Sequence, residues 1–363
     1  MHGSMPRSSW LFPALAALLF AVVTLSDYVF TPSLAGLIFA VALLAILFGT
    51  VFAAVHHAEV IAERVGEPFG TLILTLAVTV IEVALITTIM LGDKPSPALA
   101  RDTVFAVVMI VCNGLVGLCI FIGGLRFREQ DFQVSGANVY LSVLFAMATM
   151  TLVMPNYTLT TPGPSYSAAQ LVFVDLVTLV LYSVFLYTQT IRHRDYFVNQ
   201  PVDDTGSSAQ MSSGMLALSG ALLLGSLLAV VLLAKKFSLV VEAVGAMIGA
   251  PSAFAGLLVA LLILLPEGVS AIAAARKNDL QKSLNLALGS SIATIGLTIP
   301  AVGIATNLLD KQLVLGLSDR DTVLLLLTFF LSMLTFGTGR TNILFGLVHM
   351  VVFEVYVFMV FVP

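Results

Sequence analysis

Long apolar segments, separated by short polar ones, recur along the whole chain. Most are about 20 residues long, which at 1.5 Å per residue lets a helix cross the hydrocarbon core of a bilayer. The pattern predicts an all-α integral membrane protein with about eleven transmembrane helices. We place them at residues 10–26, 33–56, 68–91, 102–124, 136–154, 168–190, 215–234, 252–275, 283–307, 321–337 and 341–361.

The composition supports this fold class. Apolar residues make up 59% of the chain and charged residues 10%, and the mean hydropathy is +1.06. A soluble protein of this size needs more polar residues to cover its surface. The two cysteines, Cys112 and Cys119, lie on one predicted helix and are expected to pack rather than to bridge. The apolar stretch 11–25 is interpreted as an uncleaved first helix rather than a signal peptide.

Basic residues predict the orientation. With the N-terminus in the cytoplasm, ten Lys and Arg residues fall in inner loops and six in outer loops. The positive-inside rule therefore favours a cytoplasmic N-terminus and an external C-terminus in a multi-pass cell-membrane protein. The expected partners are the lipid bilayer, inorganic cations and protons; nothing in the charge pattern indicates nucleic acid.

The chain contains an internal repeat. The segment GEPFGTLILTLAVTVIEVALI, from Gly66, is similar to APSAFAGLLVALLILLPEGVSAI, from Ala250. With four predicted spans between them, the two copies run in opposite directions, an architecture shared by secondary transporters. We expect an extra helix (1–31), a five-helix repeat (32–190), a cytoplasmic linker (191–214) and a second five-helix repeat (215–363). Aligned pairs are Glu82 with Glu267, Phe69 with Phe254, Leu72 with Leu257, Leu76 with Leu261 and, at nearly matching distances, Glu59 with Glu242.

Glu82 and Glu267 are the main candidate site residues. Each lies roughly 20 Å along its predicted helix, close to the bilayer centre, where a charge costs at least ~2.5 kcal/mol unless it faces protein or water. Two carboxylates can neutralise one Ca²⁺, two Na⁺ or two protons, so cations and protons would compete for them. Pro266 removes a backbone donor and would free a carbonyl at that depth. Other oxygen ligands are expected from Thr75, Thr79, Asn113, Ser290 and Ser291.

Glu59 and Glu242 are expected to line the two vestibules, on opposite sides of the membrane, and to help gate access. The alternative is that both are solvated charges at helix ends. Five weaker candidates remain: an ion relay or a polar helix contact at Asp175, pH sensing or packing at His56 and His57, and structural roles for His349 and Glu354.

Three segments resemble the calcium/proton exchangers of the calcium/cation antiporter superfamily: HAEVIAERVGEPFGTLILTLAVTVIEVALI, VEAVGAMIGAPSAFAGLLVALLILLPEG and TFGTGRTNILFGLVHMVVFEVYV. The resemblance covers nearly the whole chain. It implies a bacterial inner-membrane antiporter in which Glu82 and Glu267 bind the transported ion, with no cofactor. Where the family has a Gly-Asn pair before each glutamate, this chain has Val78-Thr79 and Ile263-Leu264, which leaves Ca²⁺, Na⁺ and K⁺ open as substrates.

Three other readings follow from the same sequence. A sodium-coupled calcium exchanger would use the same two glutamates without proton exchange. A passive channel would need an open polar path, which paired buried glutamates disfavour. An intramembrane enzyme would need clustered Asp motifs, HExxH or a Ser-based pair at depth, and the sequence has none of these motifs.

Overall fold

We describe a computed structural model of the chain, covering residues 6–26, 30–31, 33–66, 69–90, 96–197 and 213–362. It is helical almost throughout. The α-helices are α1 (Arg7–Leu25), α2 (Leu34–Val65), α3 (Phe69–Met90), α4 (Leu99–Met109), α5 (Val116–Phe127), α6 (Val134–Ala148), α7 (Ala168–Tyr187), α8 (Ser213–Ile248), α9 (Ala253–Ala275), α10 (Leu280–Ala293), α11 (Ile299–Leu308), α12 (Asp319–Phe336) and α13 (Ile343–Phe361).

The predicted all-α membrane fold is confirmed, and each of the eleven predicted segments corresponds to a helical span. In the described residues, ten spans are long and apolar enough to cross a bilayer. The eleventh, α12, begins with Asp319, Arg320 and Asp321, so only its later turns are continuously apolar. The first span is followed by two sets of five in the same order, as the repeat predicts.

Two predicted helix ends are wrong. We placed the ends of the second and seventh helices at residues 56 and 234, whereas α2 continues to Val65 and α8 to Ile248. The last turns of both helices carry charged residues. Charged residues end an apolar segment, which is what we used to place the helix ends, but they do not end a helix. Each helix instead stops at a glycine with positive φ, Gly66 at 76° and Gly249 at 65°, a conformation that residues with a Cβ rarely adopt.

Two spans are α-helices interrupted by a π-helical turn. Between α4 and α5 lies the first π segment (Ile110–Leu115), and between α10 and α11 lies the second (Thr294–Thr298). Pro300 follows the second turn, and because it has no N–H it cannot donate to the carbonyl four residues back. The two interrupted spans occupy the same place in the two repeats, and each is 29 residues long. Two further π segments, of five residues each, follow α6 (Thr149–Val153) and α7 (Thr188–Arg192).

The helices form two compact units that do not follow the repeat boundaries. Unit 1 comprises Met1–Ser96 and Thr205–Ala250, and unit 2 comprises Pro97–Asp204 and Pro251–Pro363. In unit 1, α2 packs against α1, α3 and α8. In unit 2, the two π-interrupted spans are the most buried: 78% and 67% of their apolar windows are inside the protein, against at most 50% for any other span. They therefore form the centre of unit 2.

A short antiparallel ladder in unit 2 was not predicted. β1 (Glu129–Asp131) follows α5 and pairs with β2 (Arg340–Asn342), which precedes α13. β2 falls within the GTGRTN run at residues 337–342, between α12 and α13. Outside the ladder, Phe132 N–H donates to the Gly339 carbonyl at 3.0 Å, and Arg340 forms an exposed ion pair with Asp131 at 3.0 Å. The ladder joins the loop before α6 to the loop before α13.

Candidate functional site

Glu82 lies in the middle of α3, in unit 1. Its side chain is buried, with 1% of its surface exposed, and it is thirteen residues, roughly 20 Å, past Phe69 at the helix start. Thr79, one turn earlier, is also buried. Thr75 is half-buried, and its Oγ1 donates to the Thr71 carbonyl at 2.9 Å, which leaves its oxygen lone pairs available. Unit 1 therefore presents a buried carboxylate with two hydroxyls on the preceding turns.

Glu267 holds the corresponding position in α9, in unit 2, and is half-buried. The preceding Pro266 is buried within the helix. Since proline has no N–H, the carbonyl four residues earlier, on Leu262, does not receive its usual helical hydrogen bond from that position. A Cβ added to Gly268 would lie 3.8 Å from Leu115 Cδ1, so this part of α9 lies against the first π segment.

Ser290 and Ser291 lie on α10, about one turn before the second π segment. Ser291 is fully buried, and its Oγ makes no hydrogen bond within the part of the chain that the structure describes. A buried hydroxyl of this kind is costly unless something else binds it. Helix α10 packs on α9 and on the first π segment. Unit 2 therefore brings the elements that carry Glu267, the two serines and Asn113 into mutual contact.

Asn113, in the first π segment, belongs to a buried hydrogen-bond network. Thr328 Oγ1 donates to the Leu324 carbonyl at 2.8 Å, so it accepts the bond from Asn113 Nδ2 at 2.7 Å. This orients Asn113 Oδ1 toward His349 Nδ1, 3.0 Å away, and that nitrogen must donate. His349 Nε2, then without a hydrogen, accepts from Thr335 Oγ1 at 3.0 Å. All four side chains are fully buried. The sequence did not reveal this network, although the expected structural role of His349 fits it.

We expect His349→Leu to destabilise the protein by roughly 1–3 kcal/mol, because Asn113 Oδ1 and Thr335 Oγ1 would both lose a partner in a buried site. His349→Gln should lose less, since an amide can replace part of the bonding. The measurement is the thermal unfolding midpoint in detergent. Equal midpoints for the leucine and glutamine variants would show that the network contributes nothing.

Glu59 and Glu242 both lie in unit 1, on α2 and α8. Glu59 is exposed, whereas Glu242 is half-buried and its Oε1 accepts a 3.0 Å hydrogen bond from Ser238 Oγ. Both lie within helices rather than in the segments that follow them. Each is seven residues before the glycine that ends its helix, Gly66 or Gly249, which is a closer correspondence than the sequence alignment gave.

The remaining candidates are dispersed. His57 is buried, and its Nε2 lies 3.0 Å from the Ser9 carbonyl, which ties α2 to α1; His56 is half-buried beside it. Glu354 is exposed on α13. Asp175 is buried on α7. His57 thus contacts the first helix.

Comparison with known proteins matches the chain to a family of membrane exchangers and to two bacterial relatives. The profile described as "Sodium/calcium exchanger protein" matches residues 32–191 and 218–362. The protein y4hA of Sinorhizobium fredii, whose assignment as an ionic transporter is provisional, is 42% identical over 359 residues, which is 99% of this chain and 97% of that protein. The sodium-potassium/proton antiporter ChaA of Escherichia coli is 37% identical over 333 residues, 89% of each chain.

The fold is also found among solved structures. The structure of native YfkE, a Ca²⁺/H⁺ antiporter protein, superposes with a TM-score of 0.73 at 17% identity, covering 98% of this chain and 100% of that one. At this identity the likeness concerns the fold alone. The family profile matches the chain on both sides of the hydrophilic segment and leaves residues 192–217 unmatched.

Proposed function

Because the chain belongs to the sodium/calcium exchanger family, we propose that it exchanges Ca²⁺, Na⁺ or K⁺ for H⁺ by alternating access, through Glu82 and Glu267. The observation that carries the proposal is the matched pair of carboxylates, one at mid-depth in each repeat. The 37% identical sodium-potassium/proton antiporter supports protons as the exchanged ion and supports Na⁺ and K⁺ as candidate cations.

Charge balance gives the mechanism. An ionised pair of glutamates binds one divalent or two monovalent cations, and the same pair can bind two protons instead. The loaded site is neutral, so switching its access from one side of the membrane to the other costs less free energy than for a charged site. Because cation and protons occupy the same oxygens, each displaces the other, and the gradient of one drives the transport of the other.

Neutral oxygens would complete the coordination of a hard cation. The candidate ligands are the hydroxyls of Thr75 and Thr79, on the turns before Glu82, and those of Ser290 and Ser291, on α10. Asn113 can contribute only the second lone pair of Oδ1, because His349 binds the first. We therefore assign the serines a larger share than Asn113 in cation binding.

The proposed location is the inner membrane of a bacterium, with the N-terminus in the cytoplasm and the C-terminus outside. The excess of basic residues in the inner loops supports this orientation. Labelling of single cysteines introduced at exposed Arg128 or exposed Lys311 from either side of intact cells would test it. Labelling of position 128 from outside would reverse the assignment.

The proposed function is tested by proton release from reconstituted vesicles on separate addition of Ca²⁺, Na⁺, K⁺ and Mg²⁺. At least one of the first three should drive proton movement through the protein and none through empty vesicles. Calcium uptake driven by a sodium gradient without any proton flux would instead identify a sodium-coupled calcium exchanger, the reading that the family description also allows.

A prediction concerns the vestibules. Glu59→Gln should weaken the apparent affinity for cytoplasmic cation by up to about 5-fold, mainly at low ionic strength, because exposed charges contribute ~1 kcal/mol or less and salt screens them. Glu242→Gln should affect external cation in the same way. Sided transport in oriented vesicles at two salt concentrations measures both, with Glu129→Gln as a surface-charge control. Equal loss on both sides would instead place these residues in the central site.

A further inference from the structure

Asp175 is a buried carboxyl group that the proposed exchange mechanism does not use. It lies seven residues into α7, roughly 10 Å from the helix start, and is 9% exposed. Its Oδ1 has no hydrogen-bond partner within the described residues. Its Oδ2 lies against Gly303 of α11: a Cβ added to that glycine would be only 2.7 Å away. Asp175 therefore sits in a tight contact between α7 and α11, both in unit 2.

The described elements that pack most closely against α7 provide no countercharge. Helix α7 packs against α11, the second π segment and α6. In the described sequence of the first two there is no titratable side chain, and α6 has one, Tyr140. Tyr140 contacts the far end of α7 rather than the part near Asp175. Its hydroxyl accepts a hydrogen bond from Gln189, and its ring contacts the Phe185 ring. An ionised Asp175 would thus be an isolated charge in an apolar seam, which costs at least ~2.5 kcal/mol at membrane depth.

The last helix of the second repeat makes a similar contact. There α13, the counterpart of α7, packs on α5, which follows the first π segment. His349 of α13 lies against Gly117 of α5, where an added Cβ would be 2.9 Å from the histidine Cβ. Each repeat thus places a titratable side chain of its last helix against a glycine just past a π turn. His349 is fully hydrogen-bonded, whereas Asp175 is not.

A partly polar cavity lies close to Asp175. Its volume is about 240 Å³, and its lining includes Leu171, Thr306 and one charged residue, the exposed Lys311. Leu171 is one turn before Asp175 on α7, and Thr306 is one turn after Gly303 on α11. The cavity also contains Tyr166, in the loop before α7, whose pKa is raised to about 12 by burial, so that residue stays neutral over the working pH range. Water in this cavity would reach within one helical turn of the carboxyl.

We propose that Asp175 is a second proton-binding site, separate from the glutamate pair, and that α7 packs against α11 while this site is protonated. The protonated carboxyl is neutral and fits the glycine contact. When pH rises and the proton leaves, the carboxylate requires water, and the close contact between α7 and α11 is disfavoured. Under the proposed orientation, the site takes its proton from the external side. The inference does not depend on the identity of the transported cation.

Dicyclohexylcarbodiimide tests this directly, because it reacts with protonated carboxyl groups in apolar surroundings and leaves a stable mass adduct. We expect the Asp175 peptide of the purified wild-type protein to be labelled at neutral pH. Labelling should fall by up to ~10-fold per pH unit once the site ionises, as for a single proton. Saturating Ca²⁺ or Na⁺ should leave it unchanged. Labelling of Glu82 and Glu267, by contrast, should fall when cation binds, so the two proposals can fail separately.

A stability measurement provides the second test. Asp175→Asn mimics the protonated side chain, so its unfolding midpoint should lack the fall that the wild-type midpoint shows as pH rises from about 4, where an unfolded-state carboxyl ionises, to the pH at which the folded-state site ionises. Thr178→Val removes a buried hydroxyl that donates only to the main-chain carbonyls of Val174 and Asp175, so it is the matched control and should follow the wild-type profile. Absence of labelling at Asp175, protection of Asp175 by cation, or identical pH profiles for Asp175→Asn and wild type would each overturn the proposal.

Discussion

Replacing Glu82 or Glu267 with glutamine is expected to reduce cation/proton exchange by at least about 50-fold while the protein stays folded. Glutamine keeps the shape of the side chain but can neither neutralise a cation nor carry a proton. In the variant, a bound cation keeps one positive charge that no carboxylate compensates. An uncompensated charge at membrane depth costs at least ~2.5 kcal/mol, and each 1.4 kcal/mol is a tenfold change. Initial rates of cation-driven proton flux in vesicles with equal amounts of protein measure the effect.

The matched control is Glu129→Gln, which makes the same chemical change at an exposed position of the β1–β2 ladder. It should transport at the wild-type rate. Size-exclusion profiles and unfolding midpoints of all three variants establish that they are folded. Wild-type exchange by either Glu82→Gln or Glu267→Gln would rule out a shared role for the two carboxylates, even if the chain remained an antiporter.

The second large effect is a steep pH dependence of apparent cation affinity. Where both glutamates are protonated in the empty site, binding of one Ca²⁺ releases two protons, and its apparent affinity should improve by up to about 100-fold per pH unit. For a monovalent cation that displaces one proton, the limit is about 10-fold. Transport and stability thus respond to pH through different groups: transport through Glu82 and Glu267, and stability through Asp175.

The measurement is the Michaelis constant for each cation at several pH values, with the same pH on both sides of the vesicle and constant ionic strength. Constant ionic strength removes the screening effect expected for Glu59 and Glu242. The slope of log affinity against pH also gives the number of protons displaced. A Michaelis constant that does not change with pH would mean that protons and cations bind at different places.

The sequence predicted the spans well because apolar length is a direct requirement of the bilayer. It missed the last turns of α2 and α8, because apolarity marks where a helix leaves the bilayer and not where it ends. Gly66 and Gly249 were the available signals for those ends. The π turns could not be predicted from hydropathy, because a change in the backbone hydrogen-bond pattern does not change how apolar the residues are. Pro300, which follows the second π turn, was the one local indication of an irregular helix. The two packing units were not predicted because each combines helices from both repeats.

The candidate site was predictable only in part. A glutamate within an apolar segment is conspicuous, and its repetition at equivalent positions makes it more so. The partners of Asn113 could not be found in the same way, because Thr328 and His349 are 215 and 236 residues away in sequence. Asp175 was visible as a mid-helix acid, but its contact with Gly303 depends on how α7 packs on α11.

The first π turn also sets the rotational phase of the helix that follows it. A π turn contains one residue more than an α turn, and one residue corresponds to about 100° of rotation around a helix axis. Gly117 faces α13, where an added Cβ would be 3.1 Å from the Gly346 carbonyl. Deleting one residue between Ile110 and Leu115 would turn this small side away from α13 and direct a larger side chain into the contact. The length of the π turn thus determines which side of α5 meets α13.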